Sequence, residues 1–573
     1  MRTTPLILLV LYVLALLPVS ASEKDNSPAA ADPLLGALVQ ELERSFEALP
    51  NTGEPPLYFL GYQARDHHGY NLNARLGAIV FEEERRYRTL DVDARVGSHT
   101  LDNTHQLKGR GGFFEFPRNS YTEISIDDDP DALRAEIWSR TDAVYKEALS
   151  RFTKVQTNKA VTAREQDASD DFSVEDPSTA YRTVPFPSID RDFLRRRLRI
   201  LSAAMKPYPF IYGSSMNLAV QAENRYIVTS EGTRVVTGNI YIRMSYRLSS
   251  RTDDGMDLQR SRSFDANRLE DLPSDAVVAE AIATSAAELE ALLDAPLVDP
   301  FSGPAIFRNR ATGVFFHEIL GHRLEGHRQK LELEGQTFTS MLGKPIVADF
   351  ISVYDDPTLQ RFKEQFLRGH YAYDDEGIPS RRVTLVDKGV LEGFLMSRSP
   401  ISHFPKSNGH GRRSPGRFTV ARMGNILVEA EETVPYARLR ELLIEEIRRQ
   451  GKPYGFIFDD ISGGFTGTTR TRAQSFKVIP HLVYRVYSDG RPDETVRGVD
   501  IVGTPLTSFG KIVAAADDYD IFNGSCGAES GWVPVSAVAP SVLVSEIEIE
   551  KKIKSSEKPP ILPVPPPGSK DES

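Results

Sequence analysis

The spacing of apolar positions changes several times along the chain, and each change predicts a different element. From Leu34 to Leu49, residues Leu35, Leu38, Val39, Leu42 and Phe46 recur at helical intervals and Pro50 follows, which predicts a helix. The period then drops to two over 57–66, 75–83 and 86–96, with Asp, Gly and Asn at the edges, and predicts strands. Helical spacing returns at Ala132–Lys159, at Asp192–Lys206 and at Pro273–Ala295, where Asp275 stands near the start. Strands are predicted again within 208–248, around Tyr226-Ile227-Val228 and Ile240-Tyr241-Ile242. An acidic, serine-rich connector lies at 164–179. The Arg195, Arg196, Arg197, Arg199 cluster suits a solvated helix face or a subunit contact better than an anion site.

From about residue 296 the pattern shifts to short apolar runs separated by glycine and turn residues, at 381–386, 389–396, 478–487 and 541–549. One further helix is predicted at 435–449. So many strands need closure or strong curvature to dispose of their edges. The predicted fold class is α+β. An N-terminal α+β domain over 33–295 precedes a β-rich C-terminal domain over 296–551, with a curved or barrel-like antiparallel sheet.

The length of 573 residues supports this division, because one core does not grow to that size. A net charge of −11 argues against a nucleic-acid surface, which needs a basic footprint. Arg2, the apolar run Leu6–Leu17 and the small residues Val19-Ser20-Ala21 read as a signal peptide over 1–21. The run is too short to span a bilayer comfortably. The expected location is therefore exported, periplasmic or secreted, with no stable membrane anchor after cleavage. Residues 22–32 read as a polar spacer and 552–573 as a disordered tail.

The candidate chemistry lies in Phe316-His317-Glu318-Ile319-Leu320-Gly321-His322. Imidazoles are common zinc ligands, and a carboxylate beside a metal-activated water is a natural general base. The spacing is HExxxH. On a regular helix it sets the two histidines about 140° apart, too far round to share an ion. A local π-type turn would return them to one face, with Gly321 as the permissive residue. Two histidines and a glutamate at a helix end are common, and this spacing alone identifies no metal site. Cys526, the only cysteine, adds a third donor in the small-residue stretch Asn523-Gly524-Ser525-Cys526-Gly527. Two His and one Cys with an open position form a catalytic zinc set. A lone cysteine among glycines is otherwise a buried filler or a free thiol. It also excludes an intrachain disulfide framework.

Several stretches together resemble the TldD/PmbA family of metallopeptidases, on its TldD-like, motif-bearing side. They are HEILGHRLEG (317–326), DDEG (374–377), LEGFLMSR (391–398), NGHGRR (408–413), ISGG (461–464) and NGSCGAESG (523–531). The resemblance implies an α/β N-terminal part and a β-rich part holding one zinc ion per chain. It makes His317, His322 and Cys526 the ligands and Glu318 the base. It implies peptide substrates, short or unfolded, and a homodimer or a heterodimer with a related subunit whose N-terminal parts enclose the site. The helices at 132–159 and 273–295 would suit its walls. His327 departs from the family, where an acidic residue is expected, and is read either as a surface change or as an alternative metal ligand. His410, Arg412 and Arg413 suit either the binding of a peptide carboxylate or backbone carbonyls or a plain structural turn. Two other readings stand beside the metallopeptidase: a thiol hydrolase using Cys526, and a non-catalytic partner or binding subunit.

Overall fold

The computed structural model describes residues 31–49, 54–107, 121–161, 167–331, 334–335, 338–469, 476–503, 509–552, 557–560, 562 and 565. The signal-peptide and most of the spacer and tail assignments lie outside them. Among the described residues no helix is long and apolar enough to cross a membrane.

Two long strands, Leu57–Arg75 and Ala78–Val96, form one hairpin. Leu76 and Gly77, with φ of 47° and 83°, make its two-residue turn. The predicted strand at 75–83 is therefore not a separate element, and 57–66 continues to Arg75. Charged residues carry the pairing past the core: Asp66 accepts from Arg86, and Tyr70 donates to Glu82. Strand Gly213–Thr229 pairs with the first strand, Arg234–Arg251 with that, and Asp257–Ala266, unpredicted, with Arg234–Arg251.

Strand alternation sorts this sheet into two unlike faces. Leu60, Tyr62 and Ala64 pack beneath helices Pro33–Ala48 and Pro130–Val161. Further along the same face, Tyr70, Leu72 and Ala74 pack beneath Arg191–Ala203 and Asp275–Asp294. The alternate positions are polar, and Gln63, Arg65 and Arg225 point at the C-terminal half. Asp375, from the DDEG stretch, accepts from Gln63 at 3.0 Å and Arg65 at 2.9 Å, and also from Arg225. Burial opposes its charge, but Arg65, Arg225 and Arg413 together hold its carboxyl below the usual range. One buried carboxylate thus clamps the two halves together.

In the C-terminal half, Phe301–Phe307, Gly455–Thr466, Phe476–Val486, Val499–Gly503 and Val542–Lys551 close into a barrel. One pair, Phe301–Phe307 with Gly455–Thr466, runs parallel, so the sheet is not wholly antiparallel as expected. A second sheet includes Ile351–Asp355, Asn425–Ala430, Gly531–Ala539 and Asp520–Ala528. The predicted strand at 389–396 shrinks to Val390–Leu391.

Helix Asn309–Ile319 leaves the first barrel strand and runs between barrel and sheet. Being covered on both sides, it is buried from Ala311 to Ile319, which its apolar sequence permits. Phe315 and Phe316 anchor it against Phe509, at ring separations of 5.6 and 5.0 Å. That packing fixes where His317 and Glu318 emerge.

Candidate metal centre

The α-helix ends at Ile319. Leu320 departs from it (φ −104°, ψ −56°), and Gly321–Leu324 continue as a 3-10 turn. No π-turn forms; the break itself reorients His322. Gly321 is needed for space, not for an unusual φ. A Cβ there would lie 2.1 Å from Met423 Sδ and 2.8 Å from Ile426 Cδ1. The rings of His317 and His322 meet edge to face, 5.1 Å between centroids.

Cys526 arrives on a strand, Asp520–Ala528, and not on the expected loop. Its Sγ is 3.2 Å from His317 Nε2 and 3.2 Å from His322 Nε2. Tetrahedral zinc with ordinary bond lengths separates S and N ligands by about 3.5 Å, so the three donors fit one ion with little adjustment. Burial opposes a thiolate here, but His322, His317 and Arg422 outweigh it and hold the Cys526 thiol well below its usual value. Burial opposes charge on His317 and His322, yet the neighbouring Cys526 raises both above the ordinary value, so a divalent metal bound there would displace those protons.

Glu318 lines the same cavity of about 720 Å³ as His317, His322 and Cys526. Burial raises its carboxyl above the ordinary range, against the pull of the two histidines. Gly464 presses on it from the barrel. A Cβ at Gly464 would lie 2.7 Å from Glu318 Cγ and 2.9 Å from the carbonyl of Lys477. Because that carbonyl belongs to a paired strand, Glu318 must move. Gly464→Ala is expected to keep metal content while lowering kcat/KM by about 10²-fold, the scale of an ångström-sized misplacement. Metal analysis with peptide kinetics checks this, and unchanged kinetics would remove Gly464 from the positioning of Glu318.

Behind the ligands lies a buried charged network that the sequence reading missed. Glu325 Oε1 is 3.2 Å from His322 Nδ1. A carboxylate on the far nitrogen fixes the ring and its tautomer. Burial works against charge on Glu325, yet His322 and Arg328 bring it down to about 2. Arg422, fully buried, donates to the Cys526 carbonyl at 2.7 Å and lies 3.3 Å from Glu325. His327 pairs with Glu529 and does not join His317, His322 and Cys526. Glu325, His327 and Glu529 form a second acidic trio, but Arg328 occupies the cation position between them, 2.8 Å from Glu325 and 3.0 Å from Glu529. The i,i+3 spacing of His322 and Glu325 was the available signal.

His410, Arg412 and Arg413 line no part of the cavity. His410 is fully buried, 3.2 Å from Asp355. Arg412 donates to the carbonyls of Met423 and Pro534, and Arg413 to Gln63 and the carbonyl of Arg417. Their donors hold loops and strands together, so they are not available to a substrate. Among the described residues of the single chain, the cavity lining runs from Val314 to Val535.

A helix trapped between barrel and sheet, delivering two histidines to a strand cysteine, defines a protein built around a metal-ligating cleft. Residues 301–551 match the PmbA/TldA metallopeptidase C-terminal domain. Over that stretch the chain is similar to the PmbA/TldD metallopeptidases. It is 29% identical over 240 residues to a metalloprotease of Methanothermobacter thermautotrophicus, covering 41% of this chain and 47% of that one. It is 24% identical over 248 residues to a zinc metalloprotease TldD homolog of Saccharolobus solfataricus, covering 43% and 51%. The chain thus spans about half the length of the curated relatives it matches. The crystal structure of TldE from Thermococcus kodakarensis shares the fold, with a TM-score of 0.58 at 14% identity, over 90% of this chain and 100% of that chain.

Proposed function

We propose that this chain is a zinc-dependent peptidase. The observation that carries the reading is the convergence of His317 Nε2, His322 Nε2 and Cys526 Sγ within 4.8 Å of one another, with Glu318 on the same cavity. A zinc-named relative and the donor set support the choice of metal. Zinc bound there supplies Lewis-acid polarisation of the scissile carbonyl and lowers the pKa of water toward neutrality. His317, His322 and Cys526 would hold it. Glu318 takes the proton of the attacking water and passes it to the leaving amine. Its raised affinity for a proton suits both halves of that task. Glu325 and Arg422 keep His322 and the Cys526 strand in register.

The closeness of Cys526 to two imidazoles also fits a thiol nucleophile beside its base, the second reading. Metal loading separates the two. A metallopeptidase loaded with zinc resists iodoacetamide and is stopped by a chelator. A thiol hydrolase behaves in the opposite way.

Short or unfolded peptides are the proposed substrates, because the site sits in a cleft. Exposed Phe465 and Trp532 on its rim suit a peptide or a related subunit, in a homodimer or heterodimer. Export is proposed from the sequence of residues 1–21. Mass spectrometry of protein made in an exporting host is expected to find a mature chain starting near Ser22; a soluble chain retaining Met1 would refute processing.

A further inference from the structure

Two arginines line the cavity, in opposite circumstances. Arg328 is spent: Glu325, Glu334 and Glu529 lie 2.8, 3.3 and 3.0 Å from its guanidinium. Arg417 is half-buried, and among the described residues no carboxylate lies within ion-pairing distance of it. The loop that presents it is nonetheless held firmly. Gly416 N donates to Asp91 on the N-terminal sheet at 2.7 Å, with φ of 72° at Gly416. Arg413 donates to the Arg417 carbonyl at 3.1 Å. Ser414 Oγ is tied to both the amide and the carbonyl of Trp532, at 2.9 and 2.8 Å. The NGHGRR stretch, which binds nothing in the cavity itself, is thus the root of a rigid mount for the next arginine.

The mount also places the arginine against the hairpin that carries Cys526. A Cβ on Gly531 would lie 3.3 Å from Arg417 Cγ, so the arginine stem passes over Gly531. Gly531 pairs with Ala528, two positions along the strand from Cys526. The Arg417 stem therefore lies beside the Ala528–Gly531 end of the hairpin that carries Cys526, on the cavity that His317 and His322 also line. Phe418, Phe465, Phe522 and Trp532 line the same cavity and supply apolar surface.

We propose that Arg417 is a specificity residue that recognises a carboxylate of the substrate peptide near the cleaved bond, flanked by an apolar or aromatic side chain. A guanidinium with no carboxylate partner among the described residues takes a carboxylate in bidentate fashion, which a neutral amide does not reproduce. The carboxylate is either a free C-terminus or an Asp or Glu side chain. The inference rests on the peptidase reading for its substrate class but not for its binding site.

The test uses the zinc-loaded full chain and two matched sets of short peptides. One set compares a free C-terminal acid with its amide; the other, capped at both ends, compares an internal Glu with Gln. In the wild type, the acid form of one set is expected to show about tenfold or higher kcat/KM, mainly through KM. The set that responds identifies which carboxylate is read. Arg417→Gln brings the ratio to about one, and Arg417→Lys keeps part of it. Equal kcat/KM for acid and neutral forms in the wild type, or a preference that survives in Arg417→Gln, overturns the proposal. Calorimetric binding of the same peptides to wild type and Arg417→Gln separates the two readings. Arg417-dependent binding without any cleavage supports the subsite and rejects the peptidase. Cleavage with no acid preference does the reverse.

Discussion

Glu318→Gln is expected to bind zinc as the wild type does and to lose about 10²–10⁴-fold in kcat, the range for removing a general acid–base group. The amide keeps the shape of the side chain, so the contact with Gly464 and the cavity wall are preserved. It cannot accept the water proton. Because the proposed ligands are His317, His322 and Cys526, metal content should not follow activity down. Near-normal turnover by a folded, zinc-loaded Glu318→Gln chain would show that the proton goes elsewhere. Loss of metal together with activity would instead make Glu318 a ligand or a structural support.

Cys526→Ser should have the other large effect, on metal retention. Sγ is equidistant, at 3.2 Å, from both imidazole nitrogens, so it is the donor that completes the set. A serine hydroxyl is a shorter and far poorer ligand for zinc. It is also not deprotonated by the surrounding histidines and Arg422, which act on the thiol. The variant is expected to lose most of its zinc on dialysis and peptidase activity with it. Thermal unfolding then serves as a control, since Cys526 pairs through its backbone with Val533 and that pairing does not need sulfur. Full zinc retention at unchanged affinity would remove Cys526 from the ligand set.

How far the sequence carries can be judged from particular residues. That His317, His322 and Cys526 meet, with Glu318 on the same cavity, was legible because their chemistry is rare and their types are few. How two histidines at that spacing meet was not legible. It depends on Met423 and Ile426, about a hundred positions away, which occupy the space beside Gly321. The N-terminal hairpin was cut short at 66 because His67-His68-Gly69 and the charged run Glu82–Arg86 break the alternation. Those residues pair in a part of the ladder where ion pairs, not core contacts, hold the strands. Arg412 and Arg413 suggested a ligand site because an arginine's partners are invisible in one dimension. Here those partners are carbonyls and Gln63, brought from distant strands. Arg417 went unmarked for the same reason in reverse: only the fold reveals which arginine lacks an internal acid. The single parallel pair in the barrel was equally hidden, since a short apolar run does not declare the direction of its partner.

The most direct measurement is the metal content of the purified full-length chain, with peptide cleavage assayed on the same sample before and after chelation. About one zinc per chain is expected, with cleavage lost to the chelator and restored by stoichiometric zinc. A chain that carries no metal, cleaves peptides undisturbed by chelator and is silenced by alkylation of Cys526 would contradict the account.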